Sequence, residues 1–526
     1  MKLKNILALN ALAAALMACG GGDVVLQPTN IDNSVDNSVV SGGGSGDNNP
    51  CANYALNGQT FIGSFDGNNC FYDATFVGVN KPLMADLNIP FISGVHIFES
   101  SLFVGEDVTP ADIAAGTTVP RAGDGPTLTI AAGNKLAFSN PSDYVRISRG
   151  SRIIANGTSA APIIFSGYSD LVTNTAAEDA VSLWGGIMIN GNGITNNCTE
   201  AERTNGTCSV QSEGQESYYG GNDNTESSGS LRYVVVKHSG FAVVEGDELN
   251  GITFNAVGAG TTVDHVQVYN TFDDGFEFFG GAVNVSHAVL VNVRDDSLDF
   301  SDGYVGKIQY ALIKHAGNNG NRCIEGDNIS DKRPADAANP ADWLIAPISH
   351  PVFSNLTCIT SGNDNGTHGD SEGFLLRHGA EGEIYNSIVV SPAGGNECFE
   401  INSTGTVKNA EDGKITVDST ILACSETVKN AGASDLPAGS SFNTTAFFDA
   451  FSNNFRDTEA ASVLDGIFTA DMLMASAAAG GGAITVNMTD VSTLPENADM
   501  FLENPSHFGA VTADDDWTAG WTLGLE

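Results

Sequence analysis

The stretch Asp273-Asp274-Gly275-Phe276-Glu277-Phe278 is answered by Asp295-Asp296-Ser297-Leu298-Asp299-Phe300, so the same order of acidic and apolar residues returns after 22 positions. Val268 and Leu290 keep the same shift. A repeat of about this length with strand-type alternation is one turn of a parallel β-solenoid, whose coils bury apolar side chains by stacking on their neighbours. Equivalent residues then lie above one another at the strand spacing of about 4.8 Å. Seven carboxylates fall within residues 273–302, so like charge stacks on like charge.

The register extends in both composition and spacing. Val289-Leu290-Val291 is matched by Ala311-Leu312-Ile313 at a further 22 residues, and Asn321-Arg322-Cys323-Ile324-Glu325 reoccupies the acidic slot at a shift of 26. The extra residues are Gly/Asn-rich and read as a loop. Asp370-Ser371-Glu372-Gly373-Phe374-Leu375-Leu376 and Asn396-Glu397-Cys398-Phe399-Glu400-Ile401 follow. Period-2 alternation points Phe276, Phe278, Leu298, Phe300, Phe399 and Ile401 inward. Glu277, Asp299, Glu325 and Glu400 therefore form an outward row, interrupted by Leu375.

Gross composition agrees with one elongated β domain: the chain has 526 residues and 61 glycines, and outside the N-terminal signal only residues 460–479 read as helical. With 63 acidic against 22 basic residues, the net charge of −41 repels nucleic acid and anionic membrane surfaces. Cations, or partners bound through cations, suit it better. Such acidity also serves solubility alone.

At the N-terminus Lys2 and Lys4 precede an apolar run over residues 6–16, then Leu16-Met17-Ala18-Cys19-Gly20. This resembles a bacterial lipoprotein signal, which implies acylation and cleavage at Cys19, with Gly20 favouring the outer membrane; the run is too short to span a bilayer. Residues 20–50, mostly Gly, Ser, Asn, Asp and Val, form a flexible tether with a reach of roughly 30 Å. Eight cysteines remain after Cys19. An even number in an exported chain argues for disulfides, with sequence neighbours as the expected partners (Cys51 with Cys70, Cys198 with Cys208, Cys323 with Cys358, Cys398 with Cys424), although spacing alone does not settle connectivity.

Residues 51–124 are irregular and are expected to cap the solenoid, whose bare end would template aggregation. Regular coils start at Leu128-Thr129-Ile130. Gly150-Ser151-Arg152-Ile153-Ile154-Ala155-Asn156-Gly157-Thr158 with Pro162-Ile163-Ile164-Phe165, Trp184-Gly185-Gly186-Ile187, Leu231-Arg232-Tyr233-Val234, Glu248-Leu249-Asn250-Gly251-Ile252-Thr253 and the 273–281 coil resemble a family of exported bacterial right-handed parallel β-helix proteins. The closing Phe508-Gly509-Ala510 and Asp514-Asp515-Asp516-Trp517-Thr518-Ala519-Gly520-Trp521 resemble that family's ending. The resemblance implies an all-β, right-handed, pectate-lyase-like β-helix with an N-terminal cap and a lipidated tether. It implies no particular chemistry.

The expected organisation is a signal peptide at 1–18, a tether at 19–50, a cap at 51–124, the β-helix at 125–440 and C-terminal coils and cap at 441–526. Stacked unit charges repel by roughly 1 kcal/mol in water and about 3.5 kcal/mol at an effective dielectric near 20, so the ladder calls for compensation. Calcium, which takes oxygen ligands, is the candidate cofactor, with Asp273, Asp274, Glu277, Asp295, Asp296, Asp299 and Glu325 as ligands. Partly protonated carboxyls on a solvated face are the alternative. Arg377, beside the Asp370–Glu372 coil, is the candidate catalytic base; Thr367-His368-Gly369 and Leu312-Ile313-Lys314 stand out of order for a polysaccharide hydrolase. His265 and His287 share the 22-residue shift and should stack. Trp517 and Trp521 are expected to cap the last coil.

The reading is a lipid-anchored outer-membrane protein, periplasmic or surface-exposed, that binds an extended ligand, a polymeric glycan or a surface protein, through a calcium-loaded face. A TonB-dependent transporter is a further candidate partner. The alternatives are a lyase or hydrolase of acidic polysaccharide and a structural adhesin or surface-layer component.

Overall fold

In the computed structural model, residues 49–526 are described apart from 215, 245, 318–319, 330–336, 362–367, 393–395, 457–458 and 471–485. Apolar alternation along short strands produces a parallel β-helix. One face is a ladder of ten parallel strands, from Leu102–Val104 through Val145–Ile147, Ile187–Asn190, Ile252–Asn255, Phe276–Phe279, Leu298–Ser301, Arg322–Gly326, Glu372–Leu376 and Glu397–Ile401 to Glu426–Lys429. The other faces belong to a sheet of seventeen strands. Its long members Gly229–Ser239, Thr262–Thr271, Asn284–Val293, Lys307–Lys314 and Val352–Ile359 each bend at a left-handed residue, respectively Tyr233, His265, His287, Tyr310 and Asn355, with φ between 47° and 62°. Histidine and asparagine tolerate that conformation better than most residues, and stacking holds the whole row in it.

Phe276, Phe278, Leu298, Phe300, Phe399 and Ile401 are buried in one continuous core, as their alternation predicts. Phe254 stacks on Phe278 at 5.2 Å and Phe278 on Tyr304 at 4.5 Å. Each such ring contributes roughly 1.5–3 kcal/mol through burial. The acidic slots pair as the repeat requires, Glu277 with Asp299 and Asp299 with Glu325. The Val289-Leu290-Val291 match is one residue out: Val289 pairs with Leu312, Leu290 with Ile313.

Stacking also begins earlier than Leu128. Cys70–Tyr72 lies parallel to His96–Phe98, Leu87–Ile89 to Thr127–Ile130, and Leu102–Val104 to Val145–Ile147. The antiparallel pair Asn53–Leu56 and Gln59–Ile62 precedes these coils. The helix read over 460–479 is absent from its described part, which holds a 3₁₀ turn at Ala460–Ser462 and short paired strands Leu464–Asp465 and Phe468–Thr469; residues 471–479 lie outside the described residues. So does Cys19. No described helix is long and apolar enough to cross a membrane.

All four sequence-neighbour disulfides are formed. Mass spectrometry of the oxidised protein after alkylation is expected to find these eight cysteines unmodified until reduction; two or more free thiols would contradict the pairing.

Trp517 and Trp521 do not cap the last coil. The C-terminal segment turns back along the seventeen-strand sheet, where outward amides replace strand partners for its backbone. Asn386 pairs reciprocally with Thr489 at 2.8 and 2.9 Å, Gln309 with Glu503 at 2.8 and 2.9 Å, and Gln267 with Leu523 at 2.8 and 2.9 Å. Trp517 meets the stacked His265 and His287, and Trp521 meets Tyr233. The outer residues Leu312, Ile388 and Ile421 are buried beneath Phe508, Ala510 and Val511.

Candidate functional site

The outward row of the ten-strand ladder reads Thr253, Glu277, Asp299, Glu325, Leu375 and Glu400 by register. These side chains leave the core as expected, but the expected open face is roofed. The excursion between Ile187–Asn190 and Gly229–Ser239 contributes helix Glu200–Asn205, spanned by Cys198–Cys208, and hairpin Val210–Gln211 with Tyr218–Tyr219. A second hairpin, Phe241–Val244 with Asp247–Leu249, packs Phe241, Val243 and Leu249 against Phe103, Tyr144 and Met188 of earlier coils.

Between the roof and the ladder lies a groove of about 680 Å³. Twelve carboxylates line it, against two arginines and one histidine. Asp273, Asp274, Glu277, Asp296 and Glu325 are buried, while Asp295 and Asp299 are partly exposed. Glu213, Glu248, Asp302 and Asp327 join them from the roof and from the far ends of strands. None of these four carries the 22-residue signal, so periodicity could not find them.

Two of the aspartates also have a structural task. Asp296 N–H donates to Asp274 Oδ1 at 3.0 Å, Arg322 N–H to Asp296 Oδ1 at 2.5 Å, and Asp274 N–H to Asn250 Oδ1 at 3.0 Å. Each side chain thus caps the backbone of the next coil, which fixes the turn geometry that stacks the charges.

Cations compensate one part of the groove only. Arg322 bridges Glu325 at 3.2 Å and Glu372 at 2.8 Å. Burial alone would lower its pKa, but the charges of Asp296 and Glu372 hold it above the usual value. Arg377, the candidate base, is committed to a double ion pair with Glu325 and Asp327. His368, from a turn that the hydrolase pattern would have placed elsewhere, directs Nδ1 to Asp295 at 3.1 Å. Glu325 belongs to one cluster with Asp296 and Asp299 that suits a cation, yet both guanidiniums already neutralise it.

Asp274, Glu277 and Asp299 differ: among the described residues no Lys, Arg or His nitrogen lies within 4.0 Å of their carboxylates. One oxygen from each lies within 4.8 Å of the others. Beside them the Ser301 Oγ faces the groove, buried and without a hydrogen-bond partner. Three carboxylates and a hydroxyl are the hard oxygen donors that calcium selects.

Burial raises Asp273, Asp274, Glu277, Asp296 and Asp299, and neighbouring charge adds to it. Asp273 is held up further by Asp295, Asp274 by Asp273 and Asp299, Asp299 by Asp327 and Asp296, and Glu277 by Glu213. Asp296 is pushed up to about 7 by burial and Asp295, against the pull of Arg322. Acids whose native pKa exceeds the unfolded one contribute stability that is complete below the unfolded pKa and lost as pH rises through the native one. For Asp296 that window runs from about 4 to about 7. The metal-free protein is therefore expected to melt at a lower temperature at pH 8 than at pH 5.5, and saturating Ca²⁺ to remove most of the difference; calorimetry at both pH values checks this.

The chain belongs to the family of the pectate-lyase-like β-helix domain, whose model matches residues 115–522. No curated protein and no solved structure matches it.

Proposed function

We propose that the groove binds calcium through Asp274, Glu277 and Asp299 and, with the ion in place, engages acidic groups of a glycan or surface protein. The observation carrying this reading is the three-carboxylate cluster, which makes no ion pair within 4.0 Å among the described residues and lies beside the buried Ser301 hydroxyl, in a groove where twelve carboxylates face two arginines and one histidine. Calcium supplies positive charge that such a surface needs before it can attract an anionic partner. The Phe241–Leu249 hairpin packs over the Phe103, Tyr144 and Met188 coils at one end of the groove, so the occupant is a short segment or chain end of the polymer rather than a tract along the whole solenoid. With acylation at Cys19 the protein would work at the outer membrane, and a TonB-dependent transporter would suit as the recipient of a captured ligand.

Catalysis fits the geometry less well. A lyase needs a free base, and Arg377 is tied to two carboxylates. On pectate or alginate with Ca²⁺, no ultraviolet absorbance of an unsaturated uronate is expected, and affinity electrophoresis is expected to show calcium-dependent retention with chain length unchanged. Calcium-dependent shortening that disappears in Arg377→Ala would reverse the ranking.

A further inference from the structure

We propose that Asp273, Asp295 and His368 form a second cation site in the groove, one that takes a zinc-class transition metal rather than calcium. The proposal shares the groove with the calcium reading but rests on different ligands. Asp273 and Asp295 occupy the same turn position in adjacent coils, and His368 reaches them from the turn that precedes Glu372–Leu376. Its Nδ1 lies 3.1 Å from Asp295 Oδ2 and 3.9 Å from Asp273 Oδ1, with all three donor atoms within 4.8 Å of one another. The Phe272 ring meets the imidazole edge-on at 5.1 Å and fixes its plane.

The opposite ring nitrogen, Nε2, is buried and has no hydrogen-bond partner. Among the described residues, Asp273 and Asp295 are the groups that pair with this ring. An imidazole with two carboxylates is a borderline donor set that suits zinc and its neighbours, whereas calcium prefers oxygen alone. Two carboxylates also balance a divalent charge. The adjacent coils thus offer two chemistries: nitrogen-containing at the turn, all-oxygen on the strand.

Two other histidine clusters fail the same test. His265 and His287 both direct Nδ1 to one Asp264 oxygen, at 2.7 and 3.0 Å, but their rings stack at 4.2 Å and 16°. A metal lies near the plane of each imidazole that binds it, and two nearly parallel rings have no shared in-plane point beside both nitrogens. Arg232 moreover occupies the second Asp264 oxygen at 2.7 Å. His350 places its two nitrogens on different carboxylates, Glu381 at 2.9 Å and Glu383 at 3.3 Å, which bridges them without forming a chelate.

Calorimetric titration of Zn²⁺ into the Ca²⁺-saturated protein, with Co²⁺ absorption as a report on ligand type, tests the site. One Zn²⁺ is expected to bind without displacing calcium, and His368→Gln to weaken it by at least about tenfold while the calcium-dependent melting shift persists. Unchanged Zn²⁺ affinity in His368→Gln, weakening in His287→Asn instead, one-for-one displacement of Ca²⁺, or no uptake at all would overturn the proposal; the last would leave His368 as a plain counter-charge. A zinc site in a protein without any calcium effect would sink the calcium reading and leave this one standing.

Discussion

Replacing Cys323 and Cys358 together by alanine is expected to lower stability by about 4 kcal/mol, the chain entropy released when a loop of this length is opened in the unfolded state. The bond spans a sequence separation of 35 residues. It also crosses the interior, joining Arg322–Gly326 of the acidic ladder to Val352–Ile359 of the opposite sheet, with both sulfurs fully buried. Losing it frees the insertion between those strands and leaves a void in the core. For a folded part of this size, 1 kcal/mol moves the melting temperature by roughly 1 °C, so a fall of about 4 °C is expected. Opening Cys198–Cys208, which closes a separation of only 10 residues on the roof, should shift the global transition less. Equal shifts from the two variants would show that the interior bond does not tie the faces together.

Removing calcium has the next largest expected effect. An ion that binds only the folded state at a hundred times its dissociation constant stabilises by about 2.7 kcal/mol, or about 3 °C by the same scaling. Scanning calorimetry at pH 8 with Ca²⁺ and with a chelator reads the difference. Asp299→Asn should abolish it and leave the fold intact, because Asp299 takes no part in the backbone caps made by Asp274 and Asp296. Superimposable transitions in the unmodified protein would remove the ion from the account.

The ladder was legible in the sequence because its period is enforced by stacking: an acid that is outward in one coil is outward in the next, and Phe276 and Leu298 must share a layer. The slip at Val289 shows where that logic fails. Leu290 faces the core and Leu312 faces the returning C-terminal segment, yet both are buried. A strand covered on both sides is apolar throughout, and alternation cannot then set its register. The roof was illegible for a different reason. Glu213 and Glu248 sit on hairpins that belong to no coil, so their place in the groove follows from packing, of Val210 and Tyr219 on Ala256 and Phe279 for the first and of Phe241, Val243 and Leu249 for the second, and not from spacing. Trp517 and Trp521 were visible as a pair, but nothing local says that their partners lie more than two hundred residues earlier.

That return has a consequence for how the molecule comes into being. A stack of coils that touch only their neighbours folds and frays piecemeal, each coil gaining or losing order nearly on its own. Here Leu523 is hydrogen-bonded to Gln267, Glu503 to Gln309 and Thr489 to Asn386, so the segment that carries these three residues laces the central coils to later ones. Without that segment the outer apolar surface around Leu312, Ile388 and Ile421 is uncovered. A chain shortened before Thr489 is thus expected to unfold coil by coil, and one that keeps the segment to melt as a unit.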